Sequence, residues 1–296
     1  MCAFESRRRL LDLSIGFVED LRRTGVRPEK GPECFCSDFQ VCLPYRGLFV
    51  WHVDGHDVVG DANQVVFCKP GETFRMSGPV PEGYSEIIVT PDLDALSEIM
   101  HVDGHSMTDH PLFRHRTWRA SSRLQHHRAQ FLHWASDAHE VDALEAEESV
   151  LFLLRSVVHH GQPRATSHRA TTARLIRRTK ELLEAELSNR VRLADVARAV
   201  GASPTYLTDT FRRVEGLSLH KYLTHLRLAR ALVDLPDADD LTTLALNLGF
   251  SSHSHFSMAF RRAFGATPSQ FRERTRGRRS QGDRIGDGIR QPQGTA

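Results

Sequence analysis

An internal repeat between residues 193 and 271 constrains this chain more than any other feature of it. The first copy reads LADVARAVGASPTYLTDTFRRVEGLSLHKYL and the second LTTLALNLGFSSHSHFSMAFRRAFGATPSQFR. Ala197 and Gly201 recur as Ala245 and Gly249, and Phe211-Arg212-Arg213 recur as Phe260-Arg261-Arg262. Gly216, Ser218 and Tyr222 recur as Gly265, Thr267 and Phe271. The offset is 48 residues as far as the first glycine and 49 beyond it, because the second copy holds one more residue in its turn.

Each copy has the grammar of two helices joined by a tight turn. The alanine lets the helices approach closely, and the glycine supplies the left-handed backbone that ends the first of them. Ser203 is an N-cap candidate with Pro204 at the first helical position; Ser251 or Ser252 takes that role in the second copy. Helical spacing sends Leu207, Thr210, Phe211 and Val214 to a core, and likewise Phe256, Ala259, Phe260 and Phe264. The opposite faces present Thr205, Thr208, Asp209 and Arg212, then His253, Ser254, Ser257, Met258 and Arg261. Apart from Met258 these are the short polar or charged groups that read base edges, while Arg213 and Arg262 suit phosphates. Between the copies, Leu219–Leu235 is a continuous amphipathic pattern that stops before Pro236. A rod of about 25 Å holds two such helices roughly one DNA turn apart.

Charge agrees with that reading. Residues 1–163 carry 16 Lys/Arg against 24 Asp/Glu, and residues 164–279 carry 21 against 11. An acidic front joined to a basic back predicts that the back meets a polyanion.

The repeat region closely resembles the DNA-binding domain of the AraC family of transcription regulators. The resemblance rests on the doubled A-x-x-x-G turn, the Gly249-Phe250 pair, and the closing stretch from Gly265 to Arg272, and covers about 100 residues. It implies a seven-helix domain with two helix-turn-helix units that bind duplex DNA to activate or repress transcription. It also implies a cupin-like sensor barrel and a helical dimerisation hairpin ahead of that domain. Asp209 and Met258 depart from the family pattern, in which basic or amide side chains are common at these places. An acid facing phosphates is unfavourable unless it accepts from cytosine N4 or pairs with Arg212 or Arg213.

Ahead of the repeat, residues 34–90 read as short strands separated by Asp54-Gly55, Pro70-Gly71, Gly78-Pro79 and Glu82-Gly83, which suggests a barrel or sandwich. Residues 91–160 turn helical: a short helix near 93–100, then two long ones at 121–139 and 141–160 that form an antiparallel hairpin. The expected class is therefore α+β, with a cupin-like β-barrel and helical dimerisation hairpin in residues 1–163. A linker follows at 164–170, then the all-α domain with two helix-turn-helix units at 171–276, and a disordered tail at 277–296.

Other readings of the front half are chemical. Cys34, Cys36, Cys42 and Cys68 fall close enough to converge, with packing as their expected role and zinc or redox sensing as the alternative; Cys2 is the fifth cysteine. A cupin metal site would need paired histidines and a carboxylate, but His52 and His56 straddle a turn, and His101, His105, His110 and His115 read as a polar loop. No catalytic residue, metal or cofactor is assigned, and the chain is expected not to be an enzyme. No apolar run is long enough for a membrane helix, and Asp12, Glu19 and Asp20 break the leader-like start, so the expected location is the cytoplasm. Expected partners are double-stranded DNA, RNA polymerase, a small-molecule effector with an unassigned site, and a second subunit through helices 121–160. Two alternatives compete: a cupin-type metalloenzyme with an appended DNA-binding domain, and a ligand-independent architectural DNA-binding protein.

Overall fold

The computed structural model describes residues 4–25, 27–101, 115–137, 142–160, 162–163 and 170–276. His105 and His110, most of the expected linker and the tail at 277–296 lie outside them. A sheet-rich first half is followed by a helical second half.

Ten strands are described: β1 (Phe4–Leu13), β2 (Gly16–Thr24), β3 (Glu33–Phe35), β4 (Gln40–Val53), β5 (His56–Asp61), β6 (Gln64–Cys68), β7 (Thr73–Ser77), β8 (Tyr84–Pro91), β9 (Thr117–Arg119) and β10 (Gln162–Pro163). Their hydrogen-bonded path runs β1-β2-β8-β4-β6-β9-β10, with β5 and β7 on β4 and β3 on β7; among the described residues it does not close on itself. The long β4 joins the two parts of the network: its first half pairs with β8 and β6, its second with β5 and β7.

Strand structure begins about thirty residues before the β-rich stretch expected from the sequence. The run Arg7-Arg8-Arg9 does not look like a strand, yet β1 pairs along β2 from Phe4↔Thr24 to Leu13↔Gly16. Cross-strand charge makes this edge workable: Arg7 and Arg9 both reach Glu19, Arg23 pairs with Glu5, and the Arg9 guanidinium sits 3.6 Å from the Phe17 ring centroid.

The sheet is covered on both sides, which is why β4, β6 and β8 are buried almost without interruption. One apolar cluster (Val18, Val41, Leu43, Phe67, Ile87 and Val89 among others) packs on the helices α1 (Leu93–His101), α2 (Ser122–Asp137) and α3 (Ala143–His160). A second cluster gathers Leu21, Phe49, Trp51, Val66 and Ile88 with Cys36, Cys42 and Cys68, so three of the four candidate sensing thiols share one core. Within the fully buried Glu86 environment, desolvation pushes the carboxyl up to about 8, and burial pushes Glu184 up to about 7. Each then holds a proton in the fold that the unfolded chain, with an ordinary value of 4.5, has already released. That stability is complete below the unfolded value and is lost as pH rises through about 7 to 8. Melting temperature should therefore fall between about pH 5 and 8 and level off above it, and Glu86→Gln should flatten the decline; an unchanged pH profile in that variant would remove Glu86 as its cause.

Seven helices follow: α4 (Ala170–Ala185), α5 (Leu193–Val200), α6 (Pro204–Glu215), α7 (Leu219–Asp234), α8 (Leu241–Asn247), α9 (His253–Phe264) and α10, residues 268–276. Their core joins Phe211, Tyr222, Leu226, Leu232, Phe256, Phe260 and Phe271. No described helix is long and apolar enough to cross a membrane.

The halves are packed together. α2 lies against α7 and α9, and from residue 122 to 136 it leaves only Arg123 exposed. Its apolar side, with Leu124, Phe131 and Leu132, faces the sheet and α3, but the far side, with Gln125, Arg128 and His133, is buried too. His133 Nε2 lies 2.9 Å from the Leu232 carbonyl oxygen, and Gln125 Nε2 donates to the Ala62 carbonyl at 2.9 Å. A surface expected to pair two subunits is, on this helix, occupied within the chain. The outward residues of the hairpin are on α3, where Leu144 is the exposed large apolar side chain.

Candidate nucleic-acid interface

The repeated sequence folds twice into the same local device. Helix α5 ends at Gly201 with φ 71°, and the Ala202 N–H returns to the Ala197 carbonyl at 2.9 Å. In the second copy Gly249 has φ 77°, and the Phe250 N–H returns to the Ala245 carbonyl at 3.0 Å. At these two positions the backbone is left-handed, a conformation that glycine adopts at little cost and residues with a Cβ do not. Ala197 and Ala245 are fully buried where the paired helices meet.

The caps then start the second helix of each pair. Ser203 Oγ accepts from the Tyr206 N–H at 3.3 Å, with Pro204 next in line. In the other copy Ser252 rather than Ser251 is the cap, accepting from the His255 N–H at 3.1 Å. Both α6 and α9 stop at left-handed glycines, Gly216 and Gly265. Thr267 and Gln270 exchange hydrogen bonds of 3.2 and 3.0 Å in a reciprocal capping box that opens α10.

With the helices so placed, the inward faces are those expected. Leu207, Thr210, Phe211, Phe256 and Phe260 are buried, and Val214, Ala259 and Phe264 half-buried. The outward faces carry the expected candidates. Thr205, Asp209, Arg212 and Arg213 are exposed on α6, and Ser254, Met258, Arg261 and Arg262 on α9, with Met258 at 67%. The arginines occupy the last turn of each helix, where a positive charge complements the helix dipole.

Three candidates are half-buried and partly committed. Thr208 Oγ1 donates to the Pro204 carbonyl at 2.8 Å, so its hydroxyl is left as an acceptor for an outside donor. Ser257 Oγ and His253 Nε2 lie 3.3 Å apart and satisfy one another until something displaces them. His255, a weighed alternative, tucks inward: its Nδ1 is 3.1 Å from Ser251 Oγ and its ring sits edge-on to Phe250 at 5.5 Å. Asp209 is exposed, and among the described residues no ion pair joins it to Arg212 or Arg213, which leaves acceptance from cytosine N4 as the other of the two compensations weighed for it.

Sequence reasoning missed Tyr206. It stands in the first turn of α6, 52% exposed, on the same outward side as Thr205 and Asp209. Its counterpart in the repeat is His255, which folds back, and so the repeat itself hid the difference. Elsewhere, His52 spends both ring nitrogens inside the sheet half, on Asp57 Oδ1 at 2.6 Å and Ser77 Oγ at 2.9 Å, while His56 Nδ1 lies 2.8 Å from the Asp54 carbonyl oxygen. Neither points with the other toward a shared ligand position.

Comparison with known proteins points to the same region. The family profile of the helix-turn-helix domain matches residues 196–274. The regulatory protein SoxS of Salmonella typhimurium is 34% identical over 95 residues, which are 32% of this chain and 89% of SoxS. The regulatory protein PocR of the same species is 34% identical over 92 residues, 31% of this chain and 30% of PocR. The first longer relatives are thus matched over only about a third of their own length, 30% for PocR and 38% for the Msm operon regulatory protein of Streptococcus mutans. A solved AraC-type regulator from Chromobacterium violaceum is 30% identical, with 36% of this chain and 96% of that one covered and a TM-score of 0.34.

Proposed function

The chain belongs to the AraC family of transcriptional regulators, and on that premise we propose that α5–α6 and α8–α9 are two helix-turn-helix units entering successive major grooves of one DNA duplex. The observation that carries this is the duplicated face: two capped helices of 12 residues, each with its apolar side buried, its reading side exposed and an arginine pair in its last turn. The rod α7 between them has 16 residues, a length of about 24 Å at 1.5 Å each. Arg212 and Arg261 read base edges, Arg213 and Arg262 hold phosphates, and Thr205, Thr208, Asp209, His253, Ser254, Ser257 and Met258 complete the two surfaces. Tyr206 adds an aromatic edge beside them, suited to a thymine methyl or a sugar. The basic charge of this half steers association and makes affinity fall steeply with salt.

The sheet-rich half acts as the sensor in this reading: a cupin-like barrel in architecture, non-enzymatic, which alters DNA binding in response to a small molecule. Self-association uses the outward side of α3. RNA polymerase is the downstream partner where the protein activates.

Binding assays with a duplex selected from a random pool by the full chain test the proposal. Arg261→Ala should weaken that selected duplex by about 1–3 kcal/mol while barely changing affinity for scrambled DNA. Equal losses on both would reassign Arg261 to phosphate, and failure of the unaltered chain to select any duplex would end the reading.

A further inference from the structure

The sheet half and the first unit meet through a group of buried ionisable side chains that the DNA-reading surface does not use. Asp61, at the end of β5, is 0% exposed; Lys180 on α4 is 2% and Glu215, the last residue of α6, is 3%. Lys180 Nζ lies 3.1 Å from Glu215 Oε1 and 3.7 Å from Asp61 Oδ2. Asp61 also accepts from Tyr222 Oη at 2.5 Å and from the Asn63 N–H at 2.9 Å. Neighbours on the β5–β6 turn extend the contact: Asn63 Nδ2 donates to the Tyr222 carbonyl at 3.0 Å, and Gln64 Nε2 lies 3.4 Å from Glu215 Oε2. Arg119, on β9, reaches the Glu215 carbonyl at 3.5 Å. The second unit is gripped by different chemistry, the edge of His126 on Phe264 and Phe271 at 5.8 and 5.3 Å.

We propose that the β5–β6 turn is a brace through which the sheet half holds α6 in its reading position, with Asp61, Lys180 and Glu215 as its closing contacts. Position favours this. Glu215 follows Arg212 and Arg213 by less than one helical turn, and Tyr222 lies in the first turns of α7, so the joint at Gly216–Ser218 is held on both sides. The brace holds without masking, since Thr205, Asp209, Arg212 and Arg213 remain exposed while Glu215 is clamped.

The chemistry gives the joint two states rather than a sliding scale. Apolar surfaces tolerate small slips, but a buried lysine between two carboxylates does not, because any one group withdrawn leaves the others uncompensated in a poor dielectric. The stable alternatives are all three groups paired, or all three hydrated with the halves apart. Asp61 sits opposite Leu48 on β4, the strand shared by both parts of the sheet, so a change of shape there moves the brace directly.

The affinity arm of the test rests on the DNA-binding reading; the exchange arm does not. Full-length Asp61→Asn changes a residue outside the helical half. Amide hydrogen exchange across 213–222 should quicken by about tenfold or more, together with 61–64. Affinity for the duplex selected by the unaltered chain should fall at least severalfold, because α6 is no longer preorganised. Asn63→Ala, which leaves every charge paired, is the companion should the first variant fail to fold, and it should shift both readouts the same way by less. Faster exchange confined to the sheet half, or unchanged or tighter DNA binding, would overturn the brace. A chain that selects no duplex at all would instead discard the DNA reading, leaving exchange to decide the coupling.

Discussion

Replacing Lys180 with methionine should destabilise the whole chain by about 3–5 kcal/mol, far more than a loss of one exposed lysine would. The methionine fills nearly the same volume, so the cost is electrostatic. Asp61 and Glu215 would remain buried, 0% and 3% exposed, without the cation that lies between them. Hydrogen bonds from Tyr222 and the Asn63 N–H soften the penalty at Asp61, while Glu215 loses the ammonium 3.1 Å from its Oε1. Because Lys180 and Glu215 belong to the helical half and Asp61 to the sheet half, the two halves should also lose their common transition. Urea unfolding followed by tryptophan fluorescence reads the sheet half, where Trp51 and Trp118 are buried, and far-ultraviolet dichroism reads the helices. Separation of the two curves in the variant is the expected result; coincident curves shifted by less than about 1 kcal/mol would mean the pair contributes no more than surface charges do.

Phe260→Ala should cost about as much, 3–5 kcal/mol, through a cavity rather than a charge. Phe260 is fully buried, with ring centroids of Phe256, Phe264 and Phe271 at 5.7, 4.7 and 5.9 Å. These rings come from α9 and α10, and Phe264 and Phe271 also meet His126 of α2. The void would open beneath α9 where the second unit rests on α2, so the second half of a DNA footprint should fade before the first. Phe211→Ala is the matched control under α6, where the ring meets Tyr222 edge-on at 5.2 Å. A cost below about 1.5 kcal/mol at Phe260 would show that α9 re-packs freely there.

Much of the helical half was legible because its information is local. A glycine that ends a helix, a serine that caps the next and aromatic residues at helical spacing all act within a dozen residues, and the duplication let each copy check the other. The outward face followed from the same periodicity, so the exposed arginines lay where their spacing placed them. Tyr206 escaped because its counterpart, His255, is held by Ser251 and Phe250, contacts the first copy lacks.

The remainder depends on contacts distant in sequence. Strand β1 looked too charged to be a strand, and only Glu19 on the facing β2 makes sense of Arg7 and Arg9, as Arg23 of β2 does of Glu5. Asp61, Lys180 and Glu215 read as ordinary polar residues, since nothing adjacent to them announces that each is buried by the other two. Likewise α2 carries one apolar side, but Gln125, Arg128 and His133 on its other side are buried through hydrogen bonds to carbonyls of the β5–β6 turn and α7. Periodicity detects burial by apolar contact and is silent about burial by polar satisfaction.

The claim on which the rest depends is that α6 and α9 read one duplex together. Hydroxyl-radical footprinting of the full chain on its selected duplex tests it most directly. Two protected segments on one face, about 10 base pairs apart, are the predicted result. A single protected segment, or protection spread evenly along the DNA, would contradict it.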